Sequence, residues 1–427
     1  MSQMNVAIAG LGVVGAKTAQ LLLQTEHASV QDRLRLVAVS ARNKQTDRGI
    51  SLSEVDWHDD ATTLAGRDDV DIIVELIGGS DGVALDLCRA ALNSGKHVVT
   101  ANKAMIAHHG LELAALAEQN QVSLCFEAGV AGGIPALKIV REGLAANHIN
   151  RIAGILNGTS NYILSEMAAS SRPFDAVLRE AQEKGYAEAD PGFDIDGVDA
   201  AHKLAILAAI GFGERINFSE VQTSGIRAIT GEDIAFAGEF DYTIKLLGIA
   251  ERHGKRMVQP CLVPNSQSIA HINGAMNAVS IEADPVQIVN CSGPGAGAGP
   301  TASAVLSDLF DIACHRTAPA FGVEADRLSE PPVTTDDEHH SCYYLRVMVS
   351  DQSGVLADIT SILKALNISV EAMLQRGKSE GQPVALVMTT HRTSLAAITQ
   401  ARAELSACSF VSGEIMLLPI IESMEKS

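Results

Sequence analysis

The chain of 427 residues is 47% hydrophobic and 19% charged, a composition of ordinary folded domains rather than of disorder, and it is long enough for about three of them. Its formal net charge of −19 disfavours nucleic acid and anionic membrane as partners, because both need a basic surface. No apolar run reaches the roughly 18 residues of a membrane span, and the N-terminal run lacks the basic segment of a secretory signal. Seven dispersed cysteines without CxxC pairing point to reduced thiols in the cytosol, not to a disulfide scaffold or a zinc site.

In chain order, the short apolar strand Asn5–Ala9 leads into Gly10-Leu11-Gly12-Val13-Val14-Gly15 and then the helical stretch Ala16–Gln24. This is the G-x-G-x-x-G fingerprint in its proper setting, after a strand and opening a helix, where glycines admit a pyrophosphate and the helix start supplies free N–H groups. A second strand, Arg35–Ser40, ends in Ala41-Arg42-Asn43-Lys44. The acid that would hold a ribose 2′-hydroxyl is missing and two cations, Arg42 and Lys44, stand near its place, which favours a 2′-phosphate and hence NADP, with NAD tolerated. Two solvated side chains on a turn are the alternative. Further strands at Val70–Leu76, His97–Thr100 and Ser123–Glu127 alternate with helices Ala84–Asn93 and Leu111–Gln119, and Gly78, Gly79, Thr100 and Lys103 fall beyond strand ends, where ligands bind in an open α/β sheet. Cys125, with no evident base, reads as core.

The turn Glu127–Pro135 is rich in glycine, and its free carbonyls with Glu127 offer oxygen-only coordination to a hard cation. On the residues alone, a tight interdomain hinge is favoured. A helix Ala136–Ala145 and a strand Ile149–Ile155 follow. Asn157-Gly158-Thr159-Ser160-Asn161-Tyr162 then opens another helix, a natural carboxylate or phosphate pocket and also a good N-cap.

The segment GYAEADPGFDIDGVDAAHK, Gly185–Lys203, is an acidic loop running into the apolar helical run Ala200–Ile210. If that helix starts near Gly197, Asp199 and Lys203 share a face, next to further carboxylates such as Glu188. The pair could grip a cationic substrate and move a proton, although most such pairs are exposed surface ion pairs. His202, adjacent to Lys203, faces elsewhere on the helix.

Together the glycine fingerprint, Ala101–Ala104, Gly154–Asn161 and above all Gly185–Lys203 resemble homoserine dehydrogenase, collinearly to about residue 318. The resemblance implies reversible hydride transfer between L-homoserine and L-aspartate 4-semialdehyde with NAD(P). It implies Lys203 as general acid/base, with Lys103 beside the reacting oxygen and the nicotinamide. Glu188 and Asp199, with Asn157, Gly158 and Thr159, would hold the amino-acid substrate. Glu127 and the carbonyls of Val130, Gly132 and Ile134 would bind a monovalent cation such as Na⁺, which displaces the hinge reading. The glycine-rich segment Gly293–Thr301, ahead of a helix Ala302–Ile312, is similar to the family's late loop, with Gly297 touching the cofactor. Ser280–Val289 and Gly248–Val258 read as strands of a mixed sheet of the kind that mediates dimers in this family, so a homodimer or homotetramer is expected, in the cytoplasm.

Ala318–His340, broken by Pro319, Pro331 and Pro332, reads as a linker. Beyond it the order βαββαβ and the turn Asp351–Leu356 resemble an ACT domain, a regulatory amino-acid-binding module, with a dimerising domain lacking any ligand as the alternative. Pathway logic makes threonine the expected effector. The expected fold is α/β: a Rossmann-like dinucleotide-binding domain (1–135), an α+β substrate and dimerisation domain with a mixed sheet (136–318), a linker (319–341) and a ferredoxin-like ACT domain (342–427). Two rival readings are another ACT-containing dehydrogenase and a non-catalytic NAD(P)-binding sensor. The first would carry a His–Glu pair and a carboxylate-binding Arg that are not found. The second has no need of both Lys103 and Lys203.

Overall fold

The computed structural model describes residues 3–24, 27–376 and 383–422, so residues 377–382 and 423–427 of the expected ACT domain lie outside the described residues. The chain forms two compact units. One comprises Met1–Gly158, Asp199–Gln222 and Ala275–Pro331; the other comprises Thr159–Val198, Thr223–Gly274 and Pro332–Ser427.

The first unit is built on six parallel strands in the order Asp56–His58, Leu34–Ser40, Met4–Ala9, Ile72–Glu75, His97–Thr100, Leu124–Cys125. This is the doubly wound order, and its middle strands are apolar throughout because helices cover both faces. Val6, Ile8, Ile72, Val74 and Val99 are fully buried there. The helix Ala298–Ala313 joins the same core through Val305, Leu309 and Ile312, although it lies far along the chain from the last of these strands, Leu124–Cys125. The first half of the expected linker is packed as well. Phe321 is buried, meets the Phe126 ring in a tilted contact at 5.6 Å and lies over Gly110. Three antiparallel strands, His148–Ile155, Met276–Asp284 and Gln287–Pro294, complete this unit.

Several elements differ from the sequence reading. The helix expected at Leu111–Gln119 spans Lys103–Gln119, because Asn102 caps it through Met105 N–H; the poor helix formers His108, His109 and Gly110 had concealed its first turns. The expected helix Ala136–Ala145 is a short α turn, Ala136–Lys138, passing into a π turn, Ile139–Gly143. The expected strands Gly248–Val258 and Ser280–Val289 each straddle a hairpin. The real pairs are Tyr242–Glu251 with Arg256–Pro264, and Met276–Asp284 with Gln287–Pro294. His253-Gly254 and Pro285 carried the turn signals.

The second unit holds a mixed sheet in the order Tyr242–Glu251, Arg256–Pro264, Val411–Ile420, His340–Ser350, Pro383–Thr390, Val370–Arg376. All its pairings are antiparallel except the parallel step between Leu262 and Ile420. The tail is the expected βαββαβ, with helices Val355–Ala365 and Leu395–Ser406 burying Ile359, Leu363, Ile398 and Leu405 against one face. A further tie within this unit is ionic. Asp233, fully buried near the start of the helix Gly231–Glu239, accepts Arg346 Nε and Nη2 at 2.6 and 3.1 Å and the Tyr344 hydroxyl at 3.2 Å.

Candidate active site

The apolar helix Val198–Phe212 begins one residue past Gly197, whose φ of 87° is open to glycine at no steric cost. Its four-residue spacing sets Asp199 and Lys203 on one face, as the sequence requires, with Lys203 Nζ 2.7 Å from Asp199 Oδ2. The pair is buried rather than a surface pair, with side-chain exposures of 10% and 7%. Lys203 also donates to the Leu156 carbonyl at 2.6 Å, and the Asn157 amide donates to Asp199 Oδ2 at 2.9 Å. The end of the strand His148–Ile155 is therefore fastened to the helix start. From the parallel sheet, Lys103 reaches the remaining oxygen, Nζ to Asp199 Oδ1 at 3.1 Å. Burial pushes the Asp199 carboxyl up, but the Lys203 and Lys103 ammonium groups, with the Lys203 and Asn157 hydrogen bonds, hold it well below the usual carboxylate range. The result is an ionised carboxylate that holds two lysine amines in fixed positions.

His202 is turned away from this cluster. It packs on Phe218 at 4.2 Å and His108 at 5.6 Å, and burial with the nearby His108 and Lys103 lowers its pKa to about 4. Cys125 is buried and its thiol is pushed far up by burial, in keeping with a core role.

At the nucleotide turn, Gly10 has φ 97°, and a Cβ there would lie 2.4 Å from the Leu76 carbonyl oxygen; at Gly15 it would lie 1.9 Å from the Gly10 oxygen. Both positions admit only glycine, while around Gly12 there is open space within 4 Å for an incoming phosphate. Leu11 is buried, and its carbonyl accepts Arg48 Nε at 3.1 Å. Arg48 lies 5.4 Å and Lys44 5.9 Å from the Trp57 ring, at a cavity of about 540 Å³. Arg42 and Lys44 are exposed on the same turn. Gly78 (φ 87°) closes the strand Ile72–Glu75, Thr100 is fully buried and donates to Glu75, and Gly297 (φ 113°) precedes the helix Ala298–Ala313.

In the turn Glu127–Ile134, the Glu127 carboxylate accepts the N–H groups of Leu137 and Lys138 at 2.9 and 3.0 Å, and its own N–H donates to Asp308 at 2.9 Å. Val130, Gly132 and Ile134 are buried, and Gly132 (φ 53°) lies so close to the Gly295 carbonyl that a Cβ would come within 2.4 Å of it. Burial and the neighbouring Asp308 push Glu127 up to about 7, and burial raises Asp308 to about 6. Two buried acids only partly offset by Lys138 and Arg141, beside backbone carbonyls, fit a hard cation in charge and donor type. No cluster of three His, Cys, Asp or Glu side chains that could hold a metal occurs among the described residues.

In the second unit, the Thr159 hydroxyl donates to the Tyr186 carbonyl at 2.6 Å, and Gln182 donates to the carbonyls of Glu188 and Ala189 at 3.0 and 3.4 Å. The Glu188 side chain is exposed on the loop so held, and Gly158, at the edge of the first unit, packs under the Ala275 carbonyl. Sequence reading passed over Arg48, Asp308 and Glu75. An acid closing an all-apolar strand was the available signal for Glu75; Arg48 and Asp308 become visible only through their partners in space.

Comparison with known proteins agrees with this geometry. The family model described as homoserine dehydrogenase matches residues 135–310, the model described as its NAD binding domain matches 10–127, and an ACT domain model matches 343–409. The homoserine dehydrogenase of Pseudomonas aeruginosa is 42% identical, covering 98% of this chain and 99% of its own length, and that of Neisseria gonorrhoeae is 42% identical with 98% of each covered. The crystal structure of a homoserine dehydrogenase from Thiobacillus denitrificans superimposes with a TM-score of 0.92 at 41% identity, covering 99% of both chains. Fold, fingerprint and these relatives agree: the chain belongs to the homoserine dehydrogenase family, oxidoreductases that use a nicotinamide cofactor.

Proposed function

We propose that Lys203, assisted by Lys103, handles the proton in the NAD(P)-dependent interconversion of L-homoserine and L-aspartate 4-semialdehyde. The observation that carries this reading is the convergence of both ammonium groups on the single buried carboxylate of Asp199. The nicotinamide cofactor, when bound, supplies or accepts the hydride. In reduction, the aldehyde oxygen gains negative charge as its carbon takes the hydride, and a lysine ammonium stabilises that charge and passes its proton to the oxygen. In oxidation, the neutral amine takes the hydroxyl proton as the carbon gives up hydride. Asp199, held as a carboxylate, orients both amines, and with Glu188 it is proposed to hold the substrate ammonium. Glu188, with Asn157, Gly158 and Thr159, is proposed for the substrate on the resemblance of their segments.

NADP is the proposed preference, supported by Arg42 and Lys44 after the second strand and by Arg48 beside Trp57. A monovalent cation such as Na⁺ is proposed at Glu127 and the carbonyls of Val130, Gly132 and Ile134, where it would neutralise buried charge and stiffen the turn. An amino-acid effector, threonine, is proposed for the ACT domain, and a homodimer or homotetramer is proposed from the family resemblance. The deciding experiment follows absorbance of the reduced nicotinamide with homoserine and NADP, for the natural chain and for Lys203→Ala. Turnover by the first and its loss in the second is the expected result. Equal turnover in both would remove the lysine role.

A further inference from the structure

We propose that Glu75 is a positioning residue for the reaction, a buried anion that fixes both the cofactor-side turn Ile77–Gly79 and the seat of Lys103. The inference rests on the proposed place of Lys103 in the reaction.

Glu75 is the last residue of the strand Ile72–Glu75 and has no exposed surface. Burying a carboxylate is costly unless its oxygens are satisfied, and here they are satisfied entirely by neutral donors. Oε1 accepts the N–H of Ile77 at 2.7 Å and of Gly78 at 3.0 Å, while Oε2 accepts the Thr100 hydroxyl at 2.6 Å. Bonds of this kind to an ionised acceptor are short and about twice as strong as neutral ones. Glu75 and Thr100 are register partners on adjacent parallel strands, so one side chain ties together two neighbouring carboxyl ends of the sheet. Ligands bind at such ends in this fold.

The network continues as a closed ring. Thr100 Oγ1 accepts the Asn102 N–H at 2.9 Å, and Asn102 Nδ2 donates to the Gly79 carbonyl at 2.6 Å, back in the turn that Glu75 holds. Asn102 Oδ1 meanwhile accepts Met105 N–H at 3.1 Å and so caps the helix whose first residue is Lys103. The backbone of Lys103 is therefore held through Asn102 and Thr100 by the same carboxylate that shapes the turn. Gly78 and Gly79, both at positive φ (87° and 85°), could adopt other conformations; the two N–H bonds to Oε1 select one. A glutamine would keep an acceptor for the turn but present an amide to Thr100, whose hydroxyl proton would then lack its buried acceptor.

The test compares the full-length natural chain with Glu75→Gln, Thr100→Val, Thr100→Ser, the double variant Glu75→Gln/Thr100→Val, and Lys103→Ala. Steady-state rates are normalised to folded protein, and the primary isotope effect is measured with deuterated homoserine. In Glu75→Gln and Thr100→Val, KM for the nicotinamide cofactor should rise and kcat fall by about tenfold, a size expected for loss of one charge-assisted bond. The isotope effect should increase as hydride transfer becomes slower than release. Thr100→Ser, which keeps the hydroxyl, should recover most of what Thr100→Val loses in kcat and KM, and the double variant should be no worse than the worse single. A purely structural residue would lower only the melting temperature. Kinetics within about twofold of natural for Glu75→Gln, beside an impaired Lys103→Ala, overturn the proposal alone. An unimpaired Lys103→Ala overturns the reading of the site and the proposal with it. Should Glu75→Gln fail to fold, the Thr100→Val and Thr100→Ser pair decides by the same criteria.

Discussion

Lys103 and Lys203 hold opposite oxygens of one carboxylate, Lys103 at 3.1 Å from Asp199 Oδ1 and Lys203 at 2.7 Å from Asp199 Oδ2. One amine arrives from the start of the helix Lys103–Gln119, just past a parallel strand, and the other from an apolar helix, so neither element alone fixes their separation. The shared anion does. It also prevents the two like charges from driving each other apart in a setting where Asp199 is 5% exposed.

Replacing Lys203 by alanine should therefore lower kcat by more than about tenfold, since general acid–base groups usually contribute a hundredfold or more. Lys203→Arg should not restore the rate, because a guanidinium keeps its proton throughout the accessible pH range. Initial rates in both directions, with thermal melts to confirm folding, check this. A Lys203→Ala enzyme within about tenfold of natural would reject the role.

The direction of the pH dependence follows from the same chemistry. With Lys203 in the proposed role, homoserine oxidation would need the neutral amine, so its rate should climb with pH by about tenfold per unit until the group is neutral. Aldehyde reduction needs the ammonium, so its rate should hold at neutral pH and decline on the alkaline side. Profiles of kcat/KM in the two directions would show these opposed limbs, and both limbs should flatten in Lys203→Ala.

Asp199 links the site to stability. Its folded pKa lies below the ordinary value of about 3.9, so its contribution is present in full above that value and is lost as pH falls through the folded pKa. Breaking a buried ion pair from one side costs about 3–5 kcal/mol. Asp199→Asn should therefore lower the melting temperature markedly at pH 7, and the gap to the natural chain should close as the pH drops below about 4. A gap that stays constant into strong acid would show that the carboxylate is not ionised in the fold.

Much of this site was legible in the sequence, because local spacing carried it. The fingerprint needs only a strand, three glycines and a helix, and the Asp199–Lys203 contact needs only helical periodicity. The meeting of Lys103 with Asp199 was not a matter of spacing, since it depends on how two distant elements pack. Glu75 and Asp308 were missed for a related reason: a buried acid is recognised by its partners, and those partners lie in other elements. The hairpins at Glu251–Arg256 and Asp284–Gln287 were missed because uninterrupted strand-like residues flank very short turns.

The adenosine end gives a selective prediction. Lys44 is exposed and lies near Trp57, whereas Arg48 also holds the Leu11 carbonyl of the fingerprint turn at 3.1 Å. Lys44→Ala should reduce kcat/KM for NADP by about tenfold and leave NAD unaffected, the size expected for one charged hydrogen bond to phosphate. Arg48→Ala should weaken both cofactors, because the fingerprint turn proposed for the pyrophosphate loosens as well. Equal effects of Lys44→Ala on NAD and NADP would remove it from the 2′-phosphate.

The regulation proposed for the tail would have a physical route inside the second unit. Asp233 receives Arg346 and Tyr344 from the ACT strand on one side and, on the other, the Thr230 N–H and hydroxyl of the capping box at 3.0 and 2.6 Å. Three residues ahead of Thr230, Arg227 grips Asp196 at 2.6 and 3.0 Å, on the turn that leads into the helix of Asp199. Removing the tail would be a poor test of this route, because Val411–Ile420 pairs with Arg256–Pro264 and its loss would open that edge. Replacing the buried pair by apolar residues, Asp233→Leu with Arg346→Met, is gentler, since such exchanges are often close to neutral in stability, whereas Asp233→Ala alone should cost about 3–5 kcal/mol. Threonine titrated against the natural chain should inhibit, and the double variant should keep its uninhibited rate while needing about tenfold more threonine, an ordinary size for an allosteric coupling. An unchanged titration in the double variant would place the coupling elsewhere, and a natural chain indifferent to threonine would remove that effector.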